Sequence, residues 1–445
     1  MNYLLKGGTI VNEGKLISTD LLIKDGFIEK IGENLTLEPN TEEINCEGKY
    51  IFPGMIDDQV HFREPGLTHK ANIQTEAMAA VAGGVTSFME MPNTVPNALT
   101  QEILEDKYQI ASKSSVANYS FFMGASNDNI EEVKKTSQTD ICGLKIFMGS
   151  STGNMLVDKA EILERLFCET NLLIATHCED EATVRRNLEH YKELYPTNPN
   201  PDLHPIIRNV EACYLSSSKA VELAKKCNAR LHILHISTAE ELDLFDNSIP
   251  LKEKNITAEV CVHHLFFDAN DYNSKGNLIK CNPAIKEERH KKAILKALKD
   301  DRIDVIATDH APHTWEEKQN DYWSAPSGLP LVQHPLLILF DFYKKGEIDL
   351  PLIARKTAHA VADCFNIDRR GYLREGYWAD LFIADLETST TVKKEDLFYK
   401  CGWSPLEGMK FPAKIEKTFV SGNLVFSNGK IINETKGHRL KFNRD

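Results

Sequence analysis

The sequence predicts an α/β fold in which a (β/α)8 TIM barrel is joined to a small β-sandwich formed by both ends of the chain. Three observations predict it. The 445 residues are too many for one simple core. Short apolar segments alternate with amphipathic ones through the middle of the chain, and both ends carry short strands separated by turn signals. The predicted divisions are 1–52 and 368–445 for the two parts of the sandwich and 53–367 for the barrel.

The two ends share one style of sequence. In the first part, Gly-Gly, Asn-Glu-Gly and Asp-Gly punctuate short apolar runs, as is typical of hairpin turns. The C-terminal part repeats the style in "GYWADLFIADL" and "IEKTFVSGNLVFSNGKII". We therefore expect both ends to contribute strands to one sandwich.

The middle of the chain contains eight strand candidates, each followed by a stretch with helical character. The strand candidates are "YIFPGMIDD", "VTSFMEM", "ANYSFFMG", "GLKIFMG", "NLLIATHCE", "ARLHILHIS", "ITAEVCVHH" and "IDVIATDHA". Intervening segments such as "ANIQTEAMAAVAGG", "TAEELDLFDNS" and "EERHKKAILKALKDD" carry helical periodicity. The count of eight favours the barrel over an open doubly wound sheet.

Polar residues follow the apolar runs at the point where each predicted strand ends, which in a barrel is the catalytic face. They are His61, Asn93, Lys145, His177, His235, the pair His263 and His264, and Asp309. Any one of them is explicable as a loop residue, but together they predict a site.

His177 and His235 are predicted metal ligands. Each ends an apolar strand, and neutral imidazole is a common ligand of zinc-type ions. His232 precedes His235 by three residues, so strand alternation is expected to turn its side chain to the other face. We interpret His232 as a structural histidine.

Lys145 would bring a costly charge into the barrel mouth unless it is paired or neutral. Desolvation lowers the pKa of an amine, and a neutral amine reacts with carbon dioxide to form a carbamate. Such a side chain resembles a carboxylate and is able to bridge two metals. The alternative is a lysine paired with a neighbouring acid, but the position beside two histidines favours the carbamate.

Asp309 follows a very apolar strand, so its carboxylate is expected to face the mouth. It could ligate a metal, take a proton from metal-bound water and give it to a leaving nitrogen. The alternative, an aspartate that caps the next helix, fits less well because Pro312 and His313 intervene.

Eight motifs resemble, in the same order, those of dihydroorotases, which are members of the amidohydrolase superfamily. They are "GMIDDQVHFREPG", "MEMPNT", "GLKIFMGSS", "ATHCED", "HILHIST", "TAEVCVHHL", "KCNPAIK" and "TDHAPH". The C-terminal "REGYWADLFIADL" is also similar to the closing sandwich of that superfamily. The resemblance covers nearly the whole chain.

The resemblance implies reversible cyclisation of N-carbamoyl-L-aspartate to (S)-dihydroorotate and water, a step of de novo pyrimidine (UMP) biosynthesis. It implies a metal-bound hydroxide as nucleophile, Asp309 as acid and base, and one or two Zn²⁺ ions per chain. The implied metal ligands are His61, Lys145 in its N6-carboxylated form, His177, His235 and Asp309. The residues alone do not distinguish zinc from cobalt or manganese.

A substrate with a free carboxylate requires a cationic donor, and Arg63, two positions after His61, is able to supply it. Allantoinases usually have asparagine where Arg63 stands, and hydantoinases usually lack the "REPG" run. The alternative for Arg63 is a surface arginine paired with Glu64. The resemblance further implies substrate contacts by Asn93, Asn282, His313 and the backbone at Gly328.

Gln59 departs from the resemblance, because histidine stands at this position in the family. An amide oxygen is a weaker partner for zinc than imidazole. Three arrangements stay open: two metals with Gln59 as a poor ligand, one metal only, or an inactive homologue. Since every other chemical position is present, we expect an active enzyme in which Gln59 weakens one metal.

Two other functions also stay open. The first is a catalytically inactive dihydroorotase-like scaffold subunit that associates with another pyrimidine enzyme, which only Gln59 supports. The second is a hydantoinase- or dihydropyrimidinase-type cyclic amidohydrolase, which would act on neutral cyclic ureides and be indifferent to Arg63.

Composition limits the partners. A net charge of −13 argues against nucleic acid and anionic membrane, and no window approaches the roughly 20 apolar residues of a spanning helix. The N-terminus lacks the pattern of a secretory signal, and ten cysteines without C-x-x-C pairs predict a cytoplasmic protein with reduced thiols. A homodimer is a fair expectation at this size. The segment 187–205 could be a lid, an interface or filler.

Overall fold

The computed structural model describes residues 1–37, 39–149 and 154–444. The first five strands are β1 (Asn2–Asn12), β2 (Lys15–Lys24), β3 (Phe27–Gly32), β4 (Thr41–Asn45) and β5 (Tyr50–Pro53). The turns between β1, β2 and β3 place Glu13-Gly14 and Asp25-Gly26 at positive φ, as tight hairpins with right-handed strand twist require. β1 pairs antiparallel with β2 on one edge and parallel with β4 and β5 on the other.

Parallel strands follow and close into a barrel of eight positions, which we call staves, and this confirms the predicted fold. The strands are β6 (Met55–Val60), β7 (Val85–Glu90), β8 (Asn118–Phe121), β9 (Met123–Gly124), β10 (Leu144–Phe147), β11 (Ile174–His177), β12 (Leu231–Ile233), β13 (Ile256–Cys261) and β14 (Val305–Ala307). β8 and β9 are two parts of one stave, since β8 pairs with β7 and β9 with β10. A parallel bridge between Val60 and His310 closes the ring.

Two predicted segments differ from the observed elements. The first strand candidate is divided, because residues 50–53 pair with the sandwich strand at 381–384, and only residues 55–60 form a stave. "TAEELDLFDNS" forms a short 3-10 turn over Glu240–Leu244 rather than an α-helix.

The helices lie between the staves and after the last one. They are α1 (Ile73–Ala82), α2 (Gln101–Ser114), α3 (Ile130–Lys134), α4 (Ala160–Glu169), α5 (Glu181–Leu194), α6 (His204–Ile207), α7 (Val210–Cys227), α8 (Val262–Phe266), α9 (Tyr272–Lys275), α10 (Glu288–Lys299), α11 (Trp315–Lys318), α12 (Pro335–Lys344), α13 (Leu350–Ala354) and α14 (Ala360–Phe365). Side chains of Asn72, Thr100, Asp180 and Asn209 cap the first turns of α1, α2, α5 and α7. No helix in the described ranges is both long and apolar enough to cross a bilayer.

The last strands follow the barrel. They are β15 (Leu381–Asp385), β16 (Thr390–Thr391), β17 (Lys410–Phe411), β18 (Lys414–Val420), β19 (Asn423–Ser427) and β20 (Lys430–Ile431). β16 and β17 pair with each other in a separate two-stranded sheet, and the other four strands complete the sandwich. β15 lies between β5 and β18, so that strands from both ends share one nine-stranded sheet. Side chains of this sheet form a separate apolar core, which includes Leu5, Ile23, Ile51 and Phe419.

The final residues leave the sandwich, to which the predicted division assigns them. The backbone N–H of Leu440 donates to the backbone carbonyl of Tyr119 in β8. Leu440 and Phe442 also join an apolar cluster with Phe122 and Phe365. This cluster also contains residues that immediately precede staves, so it closes the N-terminal end of the barrel. The opposite end, where the staves finish, is left open to carry the site.

One disulfide corrects the expectation of reduced thiols. Cys168 at the end of α4 and Cys227 at the end of α7 are bonded, with a Cα–Cα distance of 4.7 Å. Because 59 residues separate them along the chain, no local spacing pattern indicates the pair. The other eight cysteines are free, and all of these except Cys401 are buried.

Candidate active site and metal centre

A cavity of about 240 Å³ lies at the C-terminal ends of the staves, and all ten predicted site residues line it. They are His61, Arg63, Asn93, Lys145, His177, His235, Asn282, Asp309, His313 and Gly328. Gln59, Phe147, Ala311, Pro326 and Ser327 complete the wall. The structure therefore brings the predicted residues together, and their contacts determine what each is able to do.

His177 and His235 form a pair of imidazoles on the neighbouring staves β11 and β12. Nδ1 of His177 lies 3.0 Å from Nε2 of His235. Burial lowers the pKa of both rings, which keeps them neutral near neutral pH. Two neutral nitrogens that face each other are suited to share one cation.

Glu179, two residues after His177, fixes the orientation of that ring. Its Oε2 accepts a hydrogen bond of 2.9 Å from Nε2 of His177, which directs Nδ1 towards His235. Arg208 forms an ion pair with the buried carboxylate. Burial alone would raise the pKa of Glu179, but Arg208 and His177 hold it well below its usual value. Neither Glu179 nor Arg208 is among the predicted site residues, although the H-x-E spacing in "THCED" is a signal for Glu179.

Lys145 points from β10 into the mouth and is 1% exposed. None of the described carboxylates lies within 4.0 Å of its Nζ, which also has no hydrogen-bond partner among the described residues and lies 4.7 Å from the centre of the Phe147 ring. Burial lowers the pKa of Lys145 to about 8. The described residues thus lack the acid that a simple ion pair requires.

His61 and Asp309 lie on the other side of the cavity. Nε2 of His61 is 3.1 Å from Oδ1 of Asp309, and Nδ1 donates to Oδ1 of Asn93 at 2.8 Å. Because Nδ1 keeps its proton and donates it in a hydrogen bond to Asn93, Nε2 carries a lone pair, which is directed towards the cavity. Burial lowers the pKa of His61, so this ring is also suited to bind a cation as the neutral form.

Gln59 stands beside His61, where the family resemblance predicts a second imidazole on this side. It is 2% exposed, and the thiol of Cys261 lies 3.6 Å from its Oε1 and 3.3 Å from Oε1 of Glu259, so the two oxygens share one S–H donor. Burial raises the pKa of Cys261 well above its usual value, so the thiol keeps its proton and remains a donor. The amide oxygen of Gln59 is therefore shared between the cavity and a sulfur behind it.

Three residues of the cavity adopt left-handed backbone conformations, with φ of 69° at Arg63, 40° at His235 and 45° at Asp309. Such conformations cost about 1–3 kcal/mol each and persist where the surrounding structure imposes them. The φ of His235 also ends the regular alternation of β12. The unusual backbone conformation therefore occurs at three positions whose side chains line the cavity.

Arg63 and His313 converge at one corner of the cavity. Lys70 donates to Nδ1 of His313 at 3.0 Å, so the ring proton is on Nε2, which donates to the carbonyl of Ser327 at 3.0 Å. Nη2 of Arg63 lies 3.2 Å from the same Nε2. Burial lowers the pKa of His313 to about 3 and that of Arg63 to about 10, so His313 is neutral and Arg63 charged. The one N–H of neutral His313 is donated to Ser327, so the charged guanidinium of Arg63 is the donor that this corner offers to an anionic oxygen.

Asn282 and Gly328 border the same corner. Oδ1 of Asn282 lies 3.1 Å from Nε2 of His204, a histidine outside the cavity wall. Gly328 has φ of 133°, and a Cβ at this position would lie 2.4 Å from the carbonyl oxygen of Ala311. Only glycine allows this close approach of the two backbone segments.

His232 lies inside the barrel rather than on the outer face that alternation predicts. Its Nε2 is 3.1 Å from Oδ2 of Asp58 and 3.8 Å from Oε2 of Glu259. β12 and β6 are not neighbours, so the contact with Asp58 crosses the interior. Burial would lower the pKa of His232, but the two carboxylates raise it to about 9. A charged histidine between two carboxylates supports the structural role.

His263 and His264 stand at a stave end in the sequence but do not line the cavity. They belong to the short helix α8 and are buried, with ring centres 4.2 Å apart. Among the residues that the structure describes, they and Cys261 form one of two groups of three side chains whose metal-binding atoms lie within 4.8 Å of one another, and the other group is Asp58, His232 and Glu259. Neither group is the predicted metal centre.

The cavity residues fit a divalent metal. The 3.0 Å between the ring nitrogens of His177 and His235 is close to the roughly 3.3 Å expected for two nitrogens on one tetrahedral ion. Lys145 ends in a buried amine without a hydrogen-bond partner in the described ranges, and a carboxylated form would supply the missing anionic oxygens. Imidazole and carboxylate oxygens are the donors that zinc-type ions accept.

Comparison with known proteins agrees with this chemistry. The sequence pattern of the amidohydrolase family matches residues 50–425. The chain is 32% identical to a dihydroorotase of Methanosarcina acetivorans, with 96% of this chain and 92% of that protein covered. It is 31% identical to a dihydroorotase of Pyrococcus abyssi, with 99% and 98% covered. A dihydroorotase of Bacillus cereus is 32% identical, with 96% and 98% covered.

Solved structures share the fold. An L-hydantoinase (dihydropyrimidinase) from Arthrobacter aurescens superimposes with a TM-score of 0.93, 23% identity and 99% of both chains covered. A dihydropyrimidinase from Brevibacillus agri gives a TM-score of 0.88 at 23% identity, with 100% of both chains covered. At this identity the likeness bears on the fold alone.

Proposed function

The chain belongs to the amidohydrolase family and, within it, to the dihydroorotases, and from this premise we propose that it cyclises N-carbamoyl-L-aspartate to dihydroorotate, reversibly and with release of water. It is a metal-dependent cyclic amidohydrolase. The observation that carries the substrate assignment is the buried, charged Arg63, which lies beside His313 in the same cavity as the metal-binding side chains.

The metal proposed for this chain is zinc, one or two ions per chain. His61, His177, His235 and Asp309 would hold it together with Lys145, which we propose is N6-carboxylated by CO₂. The bound metal would supply a Lewis acid that polarises the ring amide carbonyl and lowers the pKa of water. The lowered pKa and unpartnered Nζ of Lys145 support the carboxylation, because only a neutral amine captures CO₂.

Asp309 is the acid and base of the proposed reaction. It lines the cavity beside His61, with its Oδ1 3.1 Å from Nε2 of that ring, so a water and a substrate amide bound in the cavity would lie next to its carboxylate. In ring opening it takes a proton from the attacking water and gives it to the ring nitrogen as the C–N bond breaks. In cyclisation the same proton moves in the opposite order.

The substrate carboxylate would bind to Arg63, beside His313. Arg63 also donates Nε to the carbonyl of Pro312 at 3.1 Å, which orients the guanidinium so that Nη2 stays at the corner. The amides of Asn93 and Asn282 and the backbone at Gly328 border the same space and would contact the remaining polar atoms of the ring. A neutral cyclic ureide would leave the Arg63 corner without an anion.

The test compares dihydroorotate with dihydrouracil, which lacks the carboxylate, on wild type and Arg63→Met, with Arg63→Lys as the charge-retaining control. We expect wild type to open dihydroorotate, Met to raise its KM about 10- to 100-fold, and Lys to fall between them. Rapid turnover of dihydrouracil that ignores Arg63 would favour the hydantoinase alternative. No turnover of either substrate with zinc and bicarbonate supplied would favour the scaffold alternative, which Gln59 supports.

We further propose that the enzyme works in the cytoplasm as a homodimer, without nucleic acid or membrane as a partner. The acidic net charge of −13 supports the proposal that neither nucleic acid nor an anionic membrane is a partner. The Cys168–Cys227 disulfide is unusual for a reducing compartment and makes the compartment testable. Light scattering measures the oligomeric state, and thiol alkylation before mass analysis of protein from its native cells measures the redox state.

A further inference from the structure

The buried His204, outside the cavity wall, contacts one of the predicted substrate-binding residues. His204 begins α6 within the long connection after β11 and is 3% exposed. Its Nε2 lies 2.9 Å from the backbone oxygen of Cys281 and 3.1 Å from Oδ1 of Asn282. Its Nδ1 lies 2.8 Å from the hydroxyl of Tyr322.

These contacts determine which ring nitrogen carries the proton. The carbonyl of Cys281 is only able to accept, so Nε2 of His204 must donate. The same proton is shared with Asn282, which means that the amide oxygen of Asn282 faces the histidine. Nδ1 then accepts from the Tyr322 hydroxyl. Burial lowers the pKa of His204 well below its usual value, in agreement with this neutral form.

We propose that His204 is a positioning residue that turns the NH₂ group of Asn282 towards the substrate. With its oxygen held by His204, the amide presents two N–H donors to the cavity that Asn282 lines. Such donors suit a carbonyl or carboxylate oxygen of the substrate and would repel a donor in the same place. The inference rests on the proposed function, because the contact it controls is one to dihydroorotate.

The rest of the connection supports this role. Asn198 accepts the backbone N–H of Tyr322 at 2.7 Å, and the carbonyl of Tyr195 accepts the indole N–H of Trp323 at 3.0 Å. Leu203 and Tyr322 belong to one buried apolar cluster. The loop fixed in this way continues into residues 326–328, which form part of the cavity wall. The contacts of the segment 187–205 favour a role in supporting the cavity wall, which differs from the lid, interface or filler that the sequence left open.

The experiment is a double-mutant cycle with His204→Ala, Asn282→Ala and the double variant, assayed on dihydroorotate. If His204 acts through Asn282, each single change raises KM about 5- to 10-fold with a smaller change in kcat, and the double variant is no worse than Asn282→Ala. His204→Gln keeps an N–H donor near the Nε2 position and is expected to restore most of the loss. Tyr322→Phe, which frees Nδ1 to take the proton, should raise KM by a smaller factor.

His359→Ala is the matched control. His359 is also buried, and its Nε2 contacts the side-chain oxygen of an asparagine, Asn12, at 2.9 Å, but neither residue lines the cavity. We expect it to lower stability without changing KM. An unchanged KM in His204→Ala would overturn the proposal, and so would additive effects in the cycle, which a purely structural role predicts.

A second measurement does not depend on turnover. In a high-resolution crystal structure of His204→Ala, Asn282 should rotate or become disordered, whereas an unchanged amide would overturn the positioning role. If wild type opened no dihydroorotate, the proposed function would fail, yet this structure would still decide whether His204 orients Asn282.

Discussion

On one side of the cavity, His177 and His235 face each other at 3.0 Å, and a buried ion pair of Glu179 and Arg208 holds the first ring in place. On the other side, His61 faces a carboxylate, and the position beside it carries the amide of Gln59. Both sides end staves of one barrel, but the first offers two imidazoles and the second offers one.

The difference indicates how affinity and chemistry are divided. The imidazole pair has neutral donors and a fixed second layer, which favours tight binding of one ion. The His61 side has a weaker oxygen donor at Gln59, which is shared with a thiol, but it carries the carboxylate that moves protons. We therefore expect metal retention to depend on the first side and turnover on the second, with Lys145 between them.

Asp309→Asn is expected to have the largest effect, because it removes the only proton carrier proposed for the reaction. We expect kcat for dihydroorotate to fall about 1,000-fold, within the range known for general acid–base groups. Asp301→Asn is the control, since Asp301 also has positive φ but lies outside the cavity. A loss of less than tenfold in Asp309→Asn would place the proton transfer elsewhere.

Carboxylation of Lys145 should depend steeply on pH. With a pKa of about 8, about 1% of the amine is neutral at pH 6 and about 90% at pH 9. At constant dissolved CO₂, the metal-free protein should therefore gain the mass of one CO₂ far faster at pH 9 than at pH 6. Intact mass spectrometry under gentle conditions measures the gain, with Lys145→Met as the control.

If the protein gained no CO₂ mass at any pH in this range, even after zinc was added, Lys145 would not be carboxylated. The proposed link between the two sides of the cavity would then be absent. The catalytic assignment would fail with it, although the barrel and the imidazole pair would stand.

Glu179→Gln should weaken metal binding without touching the acid–base group. Loss of the carboxylate behind a metal-binding histidine typically lowers affinity about 10- to 100-fold, here on the side of His177. Competition with a chelator measures the affinity, and Glu211→Gln, an exposed glutamate on α7, is the control. If Glu179→Gln lowered kcat at saturating zinc and left the affinity for zinc unchanged, the His177 side would serve turnover and not metal retention, contrary to the division of roles expected here.

Gln59→His should give the smallest effect and make the two sides alike. An imidazole in place of the amide is expected to raise affinity for the more weakly held metal by up to about tenfold, while the tighter site stays unchanged. Metal content per chain after dialysis, compared for wild type and variant, measures the change. Equal stoichiometry and affinity in both proteins would refute the idea that Gln59 weakens one metal.

The sequence was sufficient for the features that repeat along the chain or follow from strand direction. Eight apolar segments overlap the eight barrel strands, and most of the polar residues at their ends meet because parallel strands finish at one face. It did not indicate His204 or Arg208, because their roles depend on contacts with residues distant in sequence. It misplaced His232, since the left-handed backbone at His235 interrupts the alternation on which the prediction relied.

The pairing of β5 with β15 has a consequence for the order of folding. Ile51 and Ile383 sit side by side in one sheet, although the entire barrel separates them along the chain. Contacts between residues so far apart in sequence form slowly, because closing the long loop between them costs chain entropy before the contacts can stabilise the fold. We expect the sandwich to assemble after most of the barrel has collapsed. Gly54 alone separates β5 from β6, so the first stave would reach its final register only in that last step.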